Sequence, residues 1–463
     1  MPDAASYKIY VEPFEWGPAV TRLVLTLPGD VEPGEPTADK FKVTSDTLSF
    51  VGPSSSDRAV TGAYVSDASG AQSETASKFV TVLLAYGVEQ GIYGGAPLPG
   101  SSPFFYDFKG TGHNTWVEAN YTVEINGLAI NGTKESIVIA KDAYGGRIIP
   151  LTDNWIKETV EIDGFTFQTA AYETPEMKQD SGKNPLIIWL HGAGEGGTDV
   201  TVALLGNDVT NLSEEGIQKY FKADGLAGAY VLAVQTQTMW MNSGSGQHHG
   251  NEDSIYTEAL KAAIDGYIEK NGDIDPGRIY LGGCSNGGYM TINMLINYPG
   301  FFAAAYPSCQ AYMDSFIDEA KLDAIKGTPI WFAQSRDDTT VAPVVFVIPT
   351  FIRLLKAGAK DIHLSFFDNI ASQDWPGVTY TGHWSWLYPL SDRALLDVDH
   401  DYVLENADAI LAKGAELIAN PGTSAYGPFV GPISADVFPS SSKEVLVNGA
   451  PASMWGWMAE IGK

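Results

Sequence analysis

The chain has 463 residues, with 56 acidic against 28 basic side chains and a formal net charge of −28. At 44% hydrophobic and 11% aromatic residues it has the composition of a packed globular protein, long enough for two or three cores. The acidic balance argues against sequence-independent nucleic-acid binding and against docking on anionic membranes, and no apolar run reaches the length of a membrane span.

The first residues, Met1-Pro2-Asp3-Ala4-Ala5-Ser6, lack the basic and apolar regions of a signal peptide. Two readings follow: a cytoplasmic protein, or a secreted one whose leader was removed and Met1 added. The second is preferred because the front of the chain looks like a secreted accessory domain. Residues 1–150 are rich in strand signals and poor in helix signals. Strands are predicted at Lys8–Val11, Thr21–Leu27, Phe41–Thr44, Ala59–Val65, Phe79–Ala85, Asn120–Ile125 and Ser136–Ala140. Clusters such as Pro28–Pro36 and Gly52–Asp57 read as the turns between them. About seven short strands punctuated in this way predict an all-β immunoglobulin-like sandwich.

Residues 151–463 read differently, as strands alternating with helices. Phe165–Tyr172 is a predicted strand, and Pro185–Leu190 is a near-continuous apolar one, as a parallel sheet covered on both faces requires. Tyr230–Val234 follows, then a helix over Ile255–Glu269 behind the caps Asp253 and Ser254. Strands Ile279–Leu281, Phe302–Tyr306, Thr328–Ala333 and His363–Phe367 come next. This alternation is the order of an α/β hydrolase, a doubly wound and mostly parallel sheet. A helix near Tyr402–Ile418, a Gly/Pro/Ser-rich stretch over Asn420–Ser442 and a last helix over Ser453–Ile461 close the chain. The segment at about 391–452 reads as an insertion or extension that covers the active site or packs on the N-terminal domain.

Gly283-Cys284-Ser285-Asn286-Gly287 is a G-x-S-x-G pattern between a predicted strand and a predicted helix. In that setting it reads as a nucleophile elbow, a turn sharp enough to project the Ser285 hydroxyl away from the sheet. A nucleophilic serine needs a base and a carboxylate to orient that base. The acid candidates are Asp337 and Asp338, in the polar loop after strand Thr328–Ala333. Either could serve; Asp338 is preferred because its Asp-x-x-Val just before Pro343 resembles the pattern common in α/β hydrolases. The chain has seven histidines, and His383, in a Gly- and Trp-flanked loop, is the base candidate. His363 begins a predicted strand, and His400 sits in an acidic stretch. His248-His249 lacks partners at metal-ligand spacing, so no metal and no cofactor is expected. The oxyanion donors are expected to be the amide of Asn286 and that of Ala193 or Gly194, in the loop His191–Gly197. His191 itself reads as a structural residue.

These segments resemble the prolyl-oligopeptidase-like, polyhydroxybutyrate-depolymerase-like and feruloyl-esterase-like branch of the α/β hydrolases. The matching pieces are Leu190-His191-Gly192-Ala193-Gly194-Glu195, Asp275-Pro276-Gly277-Arg278-Ile279-Tyr280-Leu281-Gly282, Ser285-Asn286-Gly287-Gly288-Tyr289 and Gly382-His383-Trp384-Ser385-Trp386. Glu15-Trp16-Gly17-Pro18-Ala19-Val20 is similar to the Ig-like domain that precedes the catalytic domain in some bacterial esterases of that branch. The resemblance implies a serine carboxylesterase acting on a small-molecule or polymeric ester, aromatic, sugar-linked or polyester. A serine peptidase of related geometry and a catalytically inert binding or adhesion protein are the alternatives. Two departures stand out: Gly196 follows the loop Glu195 where relatives often carry Arg, and 80 residues follow His383.

Cys284 and Cys309 are the only cysteines, and neighbouring strands would bring both to one edge of the sheet. A disulfide there is one reading, two buried thiols the other. Trp240, Tyr289, Tyr312 and Trp384, with Trp375 and Trp386, fall in or beside loops at the carboxyl edge and are candidates for a substrate pocket. Trp384 and Trp386 alternate, so at most one is expected to face the site.

Overall fold

The computed structural model describes residues 4–49, 52–91, 94–107, 110–117, 120–180, 182–223, 225–245, 253–424 and 427–462. The chain divides into two compact units, Met1–Asn154 with Gln373–Val378, and Trp155–Ser372 with Thr379–Lys463.

The first unit contains β1 (Ser6–Phe14), β2 (Gly17–Val31), β3 (Phe41–Ser49), β4 (Gly52–Arg58), β5 (Val60–Ser66), β6 (Ser77–Leu84), β7 (Tyr121–Ile130), β8 (Thr133–Ile139) and β9 (Tyr144–Ile148). They form one sheet in the order β9-β1-β2-β6-β5 and another in the order β8-β7-β3-β4. Leu23, Val24, Leu25 and Leu27 from the central strand β2 are buried, and Tyr121, Val123 and Ile125 turn inward as alternate residues of β7. Arg58 is buried as well. Its guanidinium donates to Val20 O (3.0 Å), Ala85 O (3.0 Å) and Tyr121 Oη (2.9 Å), which spares the sandwich an unpaired cation.

Gly52–Asp57, expected to be a turn, is instead strand β4, paired antiparallel with β3. It lies at the edge of its sheet, where a polar sequence is tolerated and the partner strand supplies the ladder that local propensity does not. The segment 373–378 also belongs to this unit. Gln373 N donates to the Glu15 carboxylate (2.9 Å), and the Trp375 ring meets Phe14 and Trp16 at 5.7 and 6.2 Å. Trp375 is therefore a packing residue of the first unit, not a pocket residue.

The second unit is built on β10 (Trp155–Ile162), β11 (Phe165–Tyr172), β12 (Asn184–Leu190), β13 (Tyr230–Thr236), β14 (Ile274–Cys284), β15 (Ala304–Ser308), β16 (Ile330–Ser335) and β17 (Ile362–Phe367). The order is β10-β11-β13-β12-β14-β15-β16-β17, antiparallel up to β13 and parallel beyond it. Every residue of β12, β13, β15 and β16 is buried, the burial expected of parallel strands covered on both faces. Helices α1 (Thr257–Lys270), α2 (Asn286–Asn297) and α3 (Val347–Lys356) are among those interleaved with the strands. α1 starts two residues later than predicted, and Ser254 Oγ accepts from Tyr256 N (3.1 Å) just ahead of it.

The predicted helix over 402–418 is two helices, α4 (His400–Glu405) and α5 (Ala407–Ala419), interrupted at Asn406. Within this unit the tail covers the exposed edge of the sheet. Asp397 Oδ1 accepts from Leu364 N (2.7 Å), Ser441 Oγ from Phe366 N (2.7 Å), and Ser441 N reaches Phe366 O (3.0 Å). The edge groups of β17 are thereby satisfied instead of being left as a template for another chain. Helix α6 (Met454–Met458) ends the fold, capped by Ser453, and buries Trp455 and Trp457.

Candidate active site

Strand β14 ends at Cys284 and α2 begins at Asn286, leaving Ser285 alone on the bend with φ 54° and ψ −111°. A side-chain-bearing residue at such angles costs roughly 1–3 kcal/mol and persists only where its surroundings enforce it. Here Ser285 N donates to Ser308 O (3.0 Å), and Ser285 O accepts from Tyr289 N (2.8 Å). Two glycines permit the crossing. A Cβ on Gly283 would lie 2.4 Å from Leu190 O, and one on Gly287 would lie 1.9 Å from the same atom. The end of β12 and the start of α2 therefore touch through backbone alone.

Asp338 follows the carboxyl end of β16 and is 1% exposed. Its Oδ1 accepts from Thr340 N and Val341 N, both at 2.9 Å, and its Oδ2 from Gln334 Nε2 at 2.9 Å. Oδ2 also lies 3.0 Å from His383 Nδ1, and His383 Nε2 lies 3.1 Å from Ser285 Oγ. The carboxylate accepts the Nδ1 proton, which leaves the Nε2 lone pair facing the serine hydroxyl. His383 sits in a short helical turn, Gly382–Trp384, and Trp386 meets its ring edge-on at 5.7 Å. Ser385 Oγ anchors this turn to Ala333 O (3.2 Å).

Asp337, the other acid candidate, faces elsewhere. Its Oδ1 accepts from Ser335 Oγ (2.5 Å) and lies where a Cβ on Gly382 would sit, so it packs under the backbone that carries His383. Burial holds its carboxyl above the ordinary value.

Asn286 is the first residue of α2, so its amide has no acceptor within the helix. Its side-chain Oδ1 accepts from Trp240 N (2.6 Å), fixing the loop after β13 against the elbow. Ala193 and Gly194 are half-buried in the turn Ala193–Glu195, and a Cβ on Gly192 would approach Cys284 Sγ at 3.3 Å. The loop after β12 and the elbow thus meet at Gly192 and Cys284. His191 is structural: Nδ1 donates to Gly192 O (2.6 Å) and Nε2 accepts from Thr236 N (3.1 Å). His248 and His249 lie outside the described residues.

Three of the four aromatic pocket candidates are displaced from that role. Trp240, Tyr289 and Tyr312 are each 0% exposed. Trp240 packs with Phe167, Tyr256 and the His191 ring, while Tyr289 and Tyr312 stack on one another at 5.2 Å. Apolar burial claims them because they sit just inside the loops. Trp384 is half-buried beside His383. The disulfide is also corrected: Cys284 and Cys309 are both free and buried. Cys284 is paired with Ser308, and Cys309 lies just past the end of that strand with φ 35°. The Cys284 thiol contacts Asn207 Oδ1 (3.5 Å), whereas Cys309 Sγ lies within 4.8 Å of ligand atoms of Asp338 and His383. Burial pushes both thiols well above their ordinary value.

Sequence reasoning missed three supporting side chains. Gln334 contacts Asp338. Gln235 Nε2 donates to Glu195 O (2.8 Å) and Asp199 O (3.0 Å), bracing the loop after β12. Arg336 pairs with Asp368 (2.9 Å) and donates to Ile433 O (3.0 Å) and Phe438 O (2.8 Å), tying the tail to the loop that carries Asp338. The available signal was a Gln or Arg at the end of an apolar strand, where only a fixed partner compensates burial.

Residues 6–138 match the family model of the esterase Ig-like N-terminal domain. No curated protein sequence matches the chain. A solved structure of a thermostable esterase is similar over 83% of this chain and 96% of its own, at 21% identity and TM-score 0.64. A Pyrococcus horikoshii acylaminoacyl peptidase is similar over 58% of this chain and 46% of its own, at 13% identity and TM-score 0.35. A ferulic acid esterase is similar over 51% of this chain and 95% of its own, at 13% identity and TM-score 0.36. The chain therefore carries, over residues 6–138, a domain matching the esterase Ig-like N-terminal model, followed by a unit with the α/β-hydrolase fold.

Proposed function

We propose that the chain is a serine carboxylesterase working through an acyl-enzyme. The observation that carries this reading is the imidazole of His383, held at 3.0 Å from a buried carboxylate and 3.1 Å from the hydroxyl on the strained bend. As Ser285 Oγ attacks an ester carbonyl, its proton passes to His383 Nε2, and Asp338 stabilises the imidazolium through Nδ1. The carbonyl oxygen becomes an oxyanion, met by the Asn286 amide at the positive end of α2 and by the turn at Ala193 and Gly194. His383 then gives its proton to the departing alkoxide, and the acyl group stays on Ser285. Water repeats the sequence in reverse roles, releasing the acid and restoring the serine. With Trp240, Tyr289 and Tyr312 enclosed in the core, stacking on an aryl or sugar-linked group rests on Trp384.

The test is a panel of short-acyl, long-acyl, feruloyl and polyester substrates, with a matched amide, run beside Ser285→Ala and a fluorophosphonate probe. Ester turnover and labelling in the wild type, both lost in Ser285→Ala with the fold retained, are the expected result. Wild-type-like turnover in Ser285→Ala would refute the assignment. Amide cleavage matching ester cleavage would move the reading to a peptidase.

A further inference from the structure

A second cluster of chemically capable side chains lies at the other end of the sheet from Ser285. His363 is the second residue of β17 and pairs with Trp331 near the start of β16, whereas Asp338 lies beyond the carboxyl end of β16. Asp397 and His400 come from the tail. His363 Nδ1 lies 2.7 Å and His400 Nε2 2.9 Å from the same oxygen, Asp397 Oδ2. The three ligand atoms fall within 4.8 Å of one another.

His400 Nε2 lies 2.9 Å from Asp397 Oδ2 but makes no well-aligned hydrogen bond among the described residues. Asp397 is already committed on its other oxygen, with Oδ1 accepting from Leu364 N (2.7 Å) and Val398 N (2.8 Å). Oδ2 is thus presented as one fixed donor atom. The far side of His363 is held too: Nε2 lies 3.2 Å from Asp361 Oδ1, which also accepts from Trp457 Nε1 (2.9 Å). A carboxylate on the remote ring nitrogen is the support that orients a metal-bound histidine and keeps its proton off the ligating nitrogen.

We propose that His363 Nδ1, Asp397 Oδ2 and His400 Nε2 form a binding site for a borderline divalent transition-metal ion, zinc above all. Two imidazoles and one carboxylate suit Zn²⁺, Co²⁺ or Ni²⁺, whereas Ca²⁺ and Mg²⁺ want oxygens. Bonds of about 2.0–2.1 Å would space the ligands by about 3.4 Å, so the rings need to draw back from Asp397 Oδ2 by only about 0.5–0.7 Å. His363 and Asp397 are 14% and 6% exposed and form the rigid rear of the site. His400, 31% exposed on the first turn of α4, borders an open hollow of about 490 Å³ that gives the ion a path and leaves room for water. Asp399, Asp401 and Glu444 at the rim, opposed there by Lys443, favour a cation. The ion would join β17 to the tail, so its role is to fasten the sheet edge.

The test is calorimetric titration of the full-length chain, stripped with EDTA, with Zn²⁺ alone. Co²⁺ is followed in parallel by its visible absorption. One saturable equivalent in the micromolar range or tighter is expected. His400→Ala and His363→Gln should each weaken binding at least tenfold, and Asp361→Asn about tenfold or more. His383→Ala should bind as the wild type does, because that residue lies outside this site. Absence of saturable Zn²⁺ binding in the wild type would overturn the proposal. So would undiminished binding in His400→Ala, a change on an open helix turn that keeps the fold testable where His363→Gln does not fold.

Discussion

Asp338 Oδ2 lies 3.0 Å from His383 Nδ1, while its neighbour Asp337 turns its carboxylate beneath Gly382, one residue before that histidine. Adjacent residues thus approach the same turn in different ways, one through the ring and one through the backbone. Asp338→Asn should lower kcat by about 10⁴ with the fold retained, because an amide favours the wrong imidazole tautomer. Asp337→Asn should cost no more than about tenfold. Steady-state kinetics on one ester decides it: equal losses would remove the assignment of Asp338.

Gly287 and Gly266 make a second contrast. A Cβ on Gly287 would meet Leu190 O at 1.9 Å, whereas one on Gly266, inside α1, would meet nothing within 4 Å. Gly287→Ala should destabilise the second unit by about 3 kcal/mol or more, since backbone must move. Gly266→Ala should stabilise by about 0.5–1 kcal/mol through helix propensity. Thermal unfolding of both variants reads the difference in sign.

Both cysteines should titrate as thiols. With no reductant added, the denatured chain should release two equivalents to a thiol reagent, and the native chain should react slowly because both sulfurs are buried. Fewer than two equivalents after denaturation would restore the disulfide.

In the first unit, Tyr7 Oη donates to Lys141 O (3.0 Å) and accepts from Tyr121 N (3.1 Å). Burial pushes its hydroxyl from 10.0 up to about 12. A group whose folded pKa is raised binds its proton more tightly in the native state. Its contribution is full below pH 10 and is lost as pH rises towards 12. Tyr7→Phe should therefore be less stable at neutral pH and show a shallower loss between those values, measured by chemical denaturation across the alkaline range.

What could be read in the sequence was local. The apolar runs gave β12 and β13 because parallel strands buried on both faces need no polar alternation. The bend at Ser285 was legible because its glycines and the flanking strand and helix are contiguous. The strand β4 was not, since its polar residues earn extended structure only from β3 beside them. The break at Asn406 was likewise hidden inside one helical pattern.

By itself the chain's order of residues determined the two-part plan, the Ser285 elbow and the candidate acid and base, because each is announced by neighbours a few positions away. Only the tertiary structure decided which aspartate meets His383, which aromatics are enclosed, that Cys284 and Cys309 stay free thiols, and that the tail seals β17. Those outcomes depend on partners far off in sequence, such as Ser285 and His383, 98 positions apart. Through-space distance and burial choose between them, and neither is written in local spacing.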